Sequence, residues 1–292
     1  MSQPTPAPIR EATSSVASPA EMYESFYGPA IFEPCTRVLL EKVPPRPGEA
    51  VLDLACGTGQ VARRAASMVG DEGRVVALDV NPGMLEVGRS LPRPPGAPVE
   101  WVEGDAVSLD LPDRSFDLVL CQQGLQFFPD RACALEQVHR VLRPGGRIGV
   151  AVWQGTDRHP LYAAMTAAEA RHLGDLGGEE GDLLVPFSLG DEGQLAGLIE
   201  ESGFSGVQIH KASIQARFPD PDTWVRNMQL AYAAVIPAFE KDPKAFESFV
   251  RGIENDIGHL VREHTEGDEV VVPMHALIAS ARAAWCASPE MR

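Results

Sequence analysis

Val51-Leu52-Asp53-Leu54-Ala55-Cys56-Gly57-Thr58-Gly59 is the stretch whose reading decides the fold. A short apolar run meets an acid, then a turn with two glycines and no bulky side chain. The next residues, Gln60 to Met68, are compatible with a helix. A strand that stops in a Gly-x-Gly turn and restarts as a helix lets a ligand lie against bare backbone. Ligand sites on open α/β sheets lie at such strand ends.

Outward from this turn, strands and helices alternate. Strands are expected at Ala50–Ala55, Arg74–Val80, Val99–Glu103, Phe116–Gln122 and Arg147–Trp153, with helices at Gln60–Val69, Gly83–Ser90 and Arg131–Leu142. Breaker residues separate them: Gly70-Asp71-Glu72-Gly73, Pro92 to Pro98, and Pro144-Gly145-Gly146. Apolar strands that do not alternate in polarity, interleaved with helices, predict a parallel sheet covered on both faces. Upstream, Glu21 to Val43 reads as two short helices broken around Gly28-Pro29 and Pro34. After Trp153 the rhythm changes. A helix over His159–Leu173, a glycine- and acid-rich loop over Gly174–Gly181 and a helix over Glu192–Ser202 are expected. A strand over Gly206–Phe218, a helical stretch over Asp222–His264 and a last strand within Glu269–Ser280 follow.

At 292 residues and a formal net charge of -16, the chain suits neither a nucleic-acid backbone nor an anionic membrane, both of which repel an acidic surface. Five cysteines, an odd number without a CxxC pair, fit a reduced, cytoplasmic setting and no zinc site. No apolar run reaches the ~18 residues of a membrane span. Met1 to Ala20 has no apolar signal core and reads as a disordered tail.

Five motifs now stand in register: Val51–Gly59, Leu78-Asp79-Val80, Glu103-Gly104-Asp105-Ala106, Phe116-Asp117-Leu118-Val119, and Val141-Leu142-Arg143-Pro144-Gly145-Gly146. In this order they resemble the class I S-adenosylmethionine-dependent methyltransferases, and among these the ubiquinone/menaquinone-biosynthesis-like small-molecule enzymes. The resemblance covers about residues 20 to 153 well and the remainder loosely. It implies an α/β fold, a Rossmann-like, mostly parallel seven-stranded sheet with helices on both faces and a helical cap built from C-terminal insertions. The implied organisation is a disordered tail over 1–20, lid helices and an S-adenosylmethionine-binding core over 21–153, and cap helices with the last strands over 154–292.

The resemblance also implies a cofactor surface. Asp53, Ala55, Gly57 and Gly59 form its first turn, and Asp79 with Val80 its second, where the carboxylate meets both ribose hydroxyls. Gly104, Asp105 and the Ala106 backbone take the adenine, with Met84 packed on the ring. Gln122 and Gln126 reach the methionine portion. Read from the residues alone, Tyr23, Phe26, Tyr27 and Phe32 are either a lid or a helix stripe packed on the sheet, the latter expected for Phe26 and Phe32, with Tyr27, beside the Gly28-Pro29 break, the candidate for an aromatic face on the sulfonium. Asp79 and Asp105 also have plain readings, as a helix cap and a turn former.

A rival reading remains open. Gly57-Thr58-Gly59-Gln60-Val61-Ala62 satisfies G-x-G-x-x-G/A, and Asp79 follows 20 residues after Gly59, as in a dinucleotide fingerprint of an NAD(P)-dependent oxidoreductase. Asp53 argues against it, because an incoming pyrophosphate would meet negative charge where a cationic ligand is attracted. A non-catalytic S-adenosylmethionine-binding protein is a further alternative. On the enzyme reading, the acceptor is a small apolar or aromatic molecule methylated on carbon or oxygen. Phe187, Trp224, Tyr232, Phe239 and Phe246 are expected either in its pocket or in the cap core. His159, past the end of the fifth strand, is the candidate general base, against the plainer reading of an inert loop histidine. The sequence leaves the oligomeric state open and suggests no metal site.

Overall fold

The computed structural model describes residues 18–173, 183–233, 239 and 243–284. The expected tail over 1–17 and the acidic loop over 174–182 lie outside these residues. So do Cys286 and the side chain of Tyr232.

Among the described residues, eight strands form one sheet: β1 Ala50–Leu54, β2 Arg74–Asp79, β3 Val99–Glu103, β4 Phe116–Gln122, β5 Leu142–Trp153, β6 Phe204–Pro219, the two-residue β7 Thr265–Glu266, and β8 Glu269–Ala283. Their order is β3-β2-β1-β4-β5-β8-β6, with β7 beside β8. β1 runs parallel to β2 and β4, β2 to β3, and β4 to β5, whereas β8 is antiparallel to both β5 and β6. The seven strands along this path are the seven expected. β5 begins five residues earlier than the sequence suggests, and its pairing with β4 shifts register between Phe116 and Leu118.

The helices are α1 Pro19–Met22, α2 Glu33–Lys42, α3 Gln60–Val69, α4 Pro82–Ser90, α5 Arg131–Val141, α6 Pro160–Leu173, α7 Glu192–Glu201, α8 Trp224–Ala233 and α9 Pro243–Glu263. Every residue of β1 is buried. Val51 joins the core under α2 and α3 with Leu39, Ala62 and Ala65, while Leu52 and Leu54 join the core under α5 and α7 with Leu135, Val138, Leu195 and Ile199. A strand covered on both faces cannot alternate in polarity, which is why β1 is apolar except at Asp53, whose carboxylate is met by the Ala62 amide. The edge strand β6 has one covered face along its second half, and there it alternates: Ile214, Ala216 and Phe218 are buried, Gln215 and Arg217 exposed.

The N-terminal segment differs from expectation. Ser18, placed in the tail by the sequence, caps α1, accepting from the Glu21 amide while its own amide donates to the Glu21 carboxylate. The helix then continues unbroken through Gly28-Pro29 as a wide π-type stretch, Tyr23–Phe32, and runs on into α2. Pro29 has no N–H and its ring crowds the preceding turn, and the wider turn accommodates it, with the Glu33 amide donating to the Gly28 carbonyl. This roof packs on the sheet through Phe26, whose ring lies 5.1 Å from that of Phe218. No helix among the described residues is long and apolar enough to cross a membrane.

Candidate functional site

At the C-terminal ends of the parallel strands lies a cavity of about 540 Å³. Ala55 and Gly57 line it after β1, and Asp79, Val80 and Asn81 after β2. Met84 comes from α4, and Gly104, Asp105 and Ala106 follow β3. Gln122, Gln123, Gly124, Phe127 and Phe128 come from β4 and the loop beyond it, and Tyr23 closes the chamber from above.

The loop geometry explains this exposure of backbone. Gly57 has φ +55°, and a Cβ there would stand 3.3 Å from the Tyr23 hydroxyl. Ala55 and Gln123 take the same left-handed conformation, each with φ 55°, although neither is glycine. Such residues are uncommon and concentrate where the surrounding structure holds them for a purpose. Asp79 fixes the two turns around it. Its Oδ2 accepts from the Gly57 amide at 2.7 Å and its Oδ1 from the Asn81 amide at 2.9 Å. Asn81 caps α4 through the Gly83 and Met84 amides, so Asp79 does not serve as that cap. Asp105 is exposed on the cavity rim and its Oδ1 accepts from the Val107 amide at 3.0 Å, an Asx turn that holds the carboxylate there. Gln122 donates to the Phe32 carbonyl at 3.2 Å, and its buried Oε1 has no partner among the described residues.

Four residues expected on this surface lie elsewhere. Asp53 is 1% exposed and turned away from the cavity, its Oδ2 accepting from the Ala62 amide at 2.8 Å. Gly59 is the N-cap of α3 and has no side chain to satisfy that helix's free amides, so Asp53 takes one of them. Burial pushes the Asp53 carboxyl up to about 8. The Ala62 bond and Arg63 oppose the rise, and the charge of Asp79 adds to it. Gly59 itself, at φ +81°, faces Trp101, not the cavity. Tyr27 and Gln126 line a second, adjoining chamber.

That second chamber measures about 340 Å³ and is bounded by the roof, the cap and the β4 loop. Ile31, Phe32, Trp153, Met165, Leu183, Phe187, Met228 and Met274 make its walls apolar, and Tyr27, Tyr162, Thr166, Glu169, Gln123 and Gln126 supply its polar groups. Tyr27 donates to the Met228 carbonyl at 3.0 Å, tying the roof to α8. Gln126 donates to Gln123 at 2.8 Å, and its own Oε1 is buried without a partner among the described residues. Of the cap aromatics expected near an acceptor, Phe187 lines the chamber. Trp224 packs against Phe218, and Phe239 packs against Phe246, both in the core. Tyr23, Gln123 and Phe127 line both chambers. Tyr23, rather than Tyr27, is therefore the aromatic over the glycine turn, stacked 4.5 Å from Phe32.

The roof is latched to that turn by Glu24. Its carboxylate accepts from the Thr58 hydroxyl at 2.5 Å and from Arg63 at 2.9 Å, a largely buried ion pair. A helical sequence reading carries no signal for this, since Glu24 is one acid among many.

His159 does not reach either chamber. It is wholly buried, with Nδ1–H donating to the Gly155 carbonyl at 3.1 Å and Nε2 accepting from the His275 amide at 2.9 Å. Both ring nitrogens are used by backbone, so no lone pair remains for a substrate proton, and the expected general base is instead a clip between the loop after β5 and β8. Burial lowers its pKa from 6.5, the Gly155 bond opposing and the His275 charge assisting. The neutral ring is the native form, so its contribution to stability is full above pH 6.5 and is lost as pH falls through the lowered folded value. His159→Ala is expected to cost about 1–3 kcal/mol, the penalty for stranding buried polar partners, read from the denaturant midpoint. S-adenosylmethionine affinity should stay unchanged, and an unchanged midpoint would remove the clip.

Comparison with known proteins bears on this geometry. Residues 51–146 match the methyltransferase domain family. The ubiquinone/menaquinone biosynthesis C-methyltransferase UbiE of Klebsiella pneumoniae is 34% identical over 175 residues, 56% of this chain and 70% of that protein. The UbiE of Hahella chejuensis is 37% identical over 142 residues, 48% of this chain and 57% of that protein. Among solved structures, the YcgJ protein of Bacillus subtilis shares the fold with a TM-score of 0.54 at 18% identity, covering 86% of this chain and 98% of that one. Phosphoethanolamine N-methyltransferase 2 of Haemonchus contortus, solved with S-adenosyl-L-methionine, gives 0.53 at 18% identity over 91% of this chain and 57% of that one. On the fold, the five motifs and the extent of the Klebsiella match, the chain belongs to the class I S-adenosylmethionine-dependent methyltransferases, in the ubiquinone/menaquinone-biosynthesis-like subgroup.

Proposed function

We propose that the larger chamber holds S-adenosylmethionine, that the apolar chamber holds a small apolar or aromatic acceptor, and that the methyl group passes where Tyr23, Gln123 and Phe127 wall both. The observation that carries this reading is the meeting of the strand-end chamber, which holds the Asp79 and Asp105 carboxylates, with the apolar chamber at three shared residues. When bound, S-adenosylmethionine supplies a methyl group activated by positively charged sulfur. The buried, unpartnered Gln122 Oε1 suits its ammonium group, and Asp79 offers two acceptor oxygens to two vicinal ribose hydroxyls. Asp105 and the Ala106 backbone suit the adenine edge, with Val80, Met84 and Gly104 beside the ring. The Tyr23 ring suits the sulfonium side, and Asp53 holds the turn from beneath through the Ala62 amide. The chain's own work is then alignment and exclusion of water.

The dinucleotide reading fares worse on the same residues. A pyrophosphate needs free amides at the N-terminus of α3, and Asp53 already occupies one of them. The relatives' C-methyltransferase names support carbon as the methylated atom, with oxygen the second reading. The division into an N-terminal tail, a core to residue 153 and a cap beyond it belongs to this proposal. So does a cytoplasmic setting without nucleic-acid or membrane partners, supported by the charge of -16 and by free Cys35, Cys56, Cys121 and Cys133. Calorimetry is expected to show binding of S-adenosylmethionine and its demethylated product but not of NAD(P). Labelled methyl should appear on members of a panel of phenols, quinols, polyketides and prenyl compounds. Absence of S-adenosylmethionine binding would end the proposal, and binding without transfer would favour a non-catalytic role.

A further inference from the structure

Among the described residues, the walls of the apolar chamber carry one carboxylate and no lysine, arginine or histidine. The carboxylate is Glu169, which is 2% exposed and reaches the chamber from α6. Its Oε1 accepts from Gln229 Nε2 on α8 at 2.7 Å, an amide and not a cation. Its Oε2 has no partner among the described residues and is not sealed off by them, so it opens on the chamber. A carboxylate left half unmet in an apolar site is costly. A glutamine at this position would tie α6 to α8 with no charge to bury, so packing alone does not call for the acid. Burial pushes the Glu169 carboxyl up to about 6, the Gln229 bond opposing, which leaves it ionised at about pH 8.

We infer that Glu169 makes the acceptor chamber charge-selective, taking a hydrogen bond from a donor group on the acceptor and turning away acceptors that carry an anionic group. This rests on the apolar chamber being the acceptor site. Hydroxyl and ammonium groups share the property required, an X–H bond directed at Oε2, and that single oxygen is enough to receive it. A carboxylate on the acceptor meets the reverse situation. It brings lone pairs and no donor, it must leave water, and the charge it meets is of its own sign. The hydroxyl and amide groups on the walls are neutral and do not cancel that charge. Like charges repel strongly where water is excluded. Gln229, itself wholly buried, is the positioning residue: it spends its amide on Oε1 and leaves Oε2 to the chamber.

The test uses the full chain saturated with S-adenosylhomocysteine at about pH 8, where Glu169 is ionised. The probes are naphthalenes that differ in one substituent, 2-naphthylmethanol, 2-naphthylmethylamine, 2-ethylnaphthalene and 2-naphthoate, titrated by calorimetry. The native protein is expected to bind the alcohol, the amine or both about tenfold more tightly than the ethyl compound, the scale of a hydrogen bond to a charged group. These two arms separate a hydroxyl donor from an ammonium donor. 2-Naphthoate should bind at least about tenfold more weakly than 2-ethylnaphthalene. E169Q keeps the shape and should tighten 2-naphthoate about tenfold while reducing the donor preference. Loosened packing alone would not produce that gain. E169L serves in the same role should E169Q fail to fold. Native binding of 2-naphthoate equal to that of the ethyl compound, no preference for either donor, no binding of any probe, or 2-naphthoate affinity untouched by the substitution overturns the inference. If S-adenosylhomocysteine itself does not bind, the underlying two-chamber reading has failed, and the inference falls with it.

Discussion

Gly59→Ala is expected to destabilise the protein by about 3 kcal/mol, although it adds one methyl group. At φ +81° the backbone is in the left-handed region, where an L side chain costs roughly 1–2 kcal/mol. The new Cβ would also stand 2.4 Å from Cη2 of Trp101. Overpacking of this kind adds roughly 1–3 kcal/mol. Gly88, on α4, gives way to the same indole: a Cβ there would approach Trp101 at 2.5 Å. Trp101 thus sits in a slot made by two absent side chains. Gly48 supplies the control, with φ +79° and nothing within 4 Å of a Cβ. Gly48→Ala should cost only about 1 kcal/mol. Denaturant unfolding of both variants isolates the contribution of Trp101, and equal costs would mean that the indole moves aside freely.

Asp79→Ala is expected to weaken S-adenosylmethionine binding about thirtyfold, or ~2 kcal/mol. The carboxylate is the group best placed to accept from paired ribose hydroxyls, and it also orders the Gly57 and Asn81 amides on either side of the ligand. Removing it takes away charge-assisted bonds and loosens the turn that receives the ligand. Calorimetry measures the affinity, and thermal melting without ligand separates loss of binding from loss of fold. Asp79→Asn keeps one acceptor oxygen and should fall between the two. Native affinity in Asp79→Ala would assign the ribose to another residue.

The succession of strands along the chain and the position of the first chamber could be read from the sequence because both depend on local pattern. Apolar runs, glycine turns and acids at strand ends lie within a few residues of one another. Asp79, Gly57 and Asp105 were legible for that reason. The second chamber was not, since its walls come from the roof, the β4 loop, α6, α8 and β8. His159 shows the limit most clearly. Its position after β5 suggested chemistry, but the partner that silences it, the His275 amide, is 116 residues away. Asp53 shows a subtler one: its presence at the end of β1 was informative, and its direction depended on an uncapped helix. Tyr23 and Tyr27 lie four residues apart in sequence, and only the wide turn through Pro29 decides which stands over the glycines.

One segment covers both chambers. Tyr23 borders each, and Glu24 in the next position fastens that segment to Thr58 and Arg63. Any shift of this segment would therefore alter the lining of both chambers at once, and it would have to part the Glu24–Arg63 ion pair.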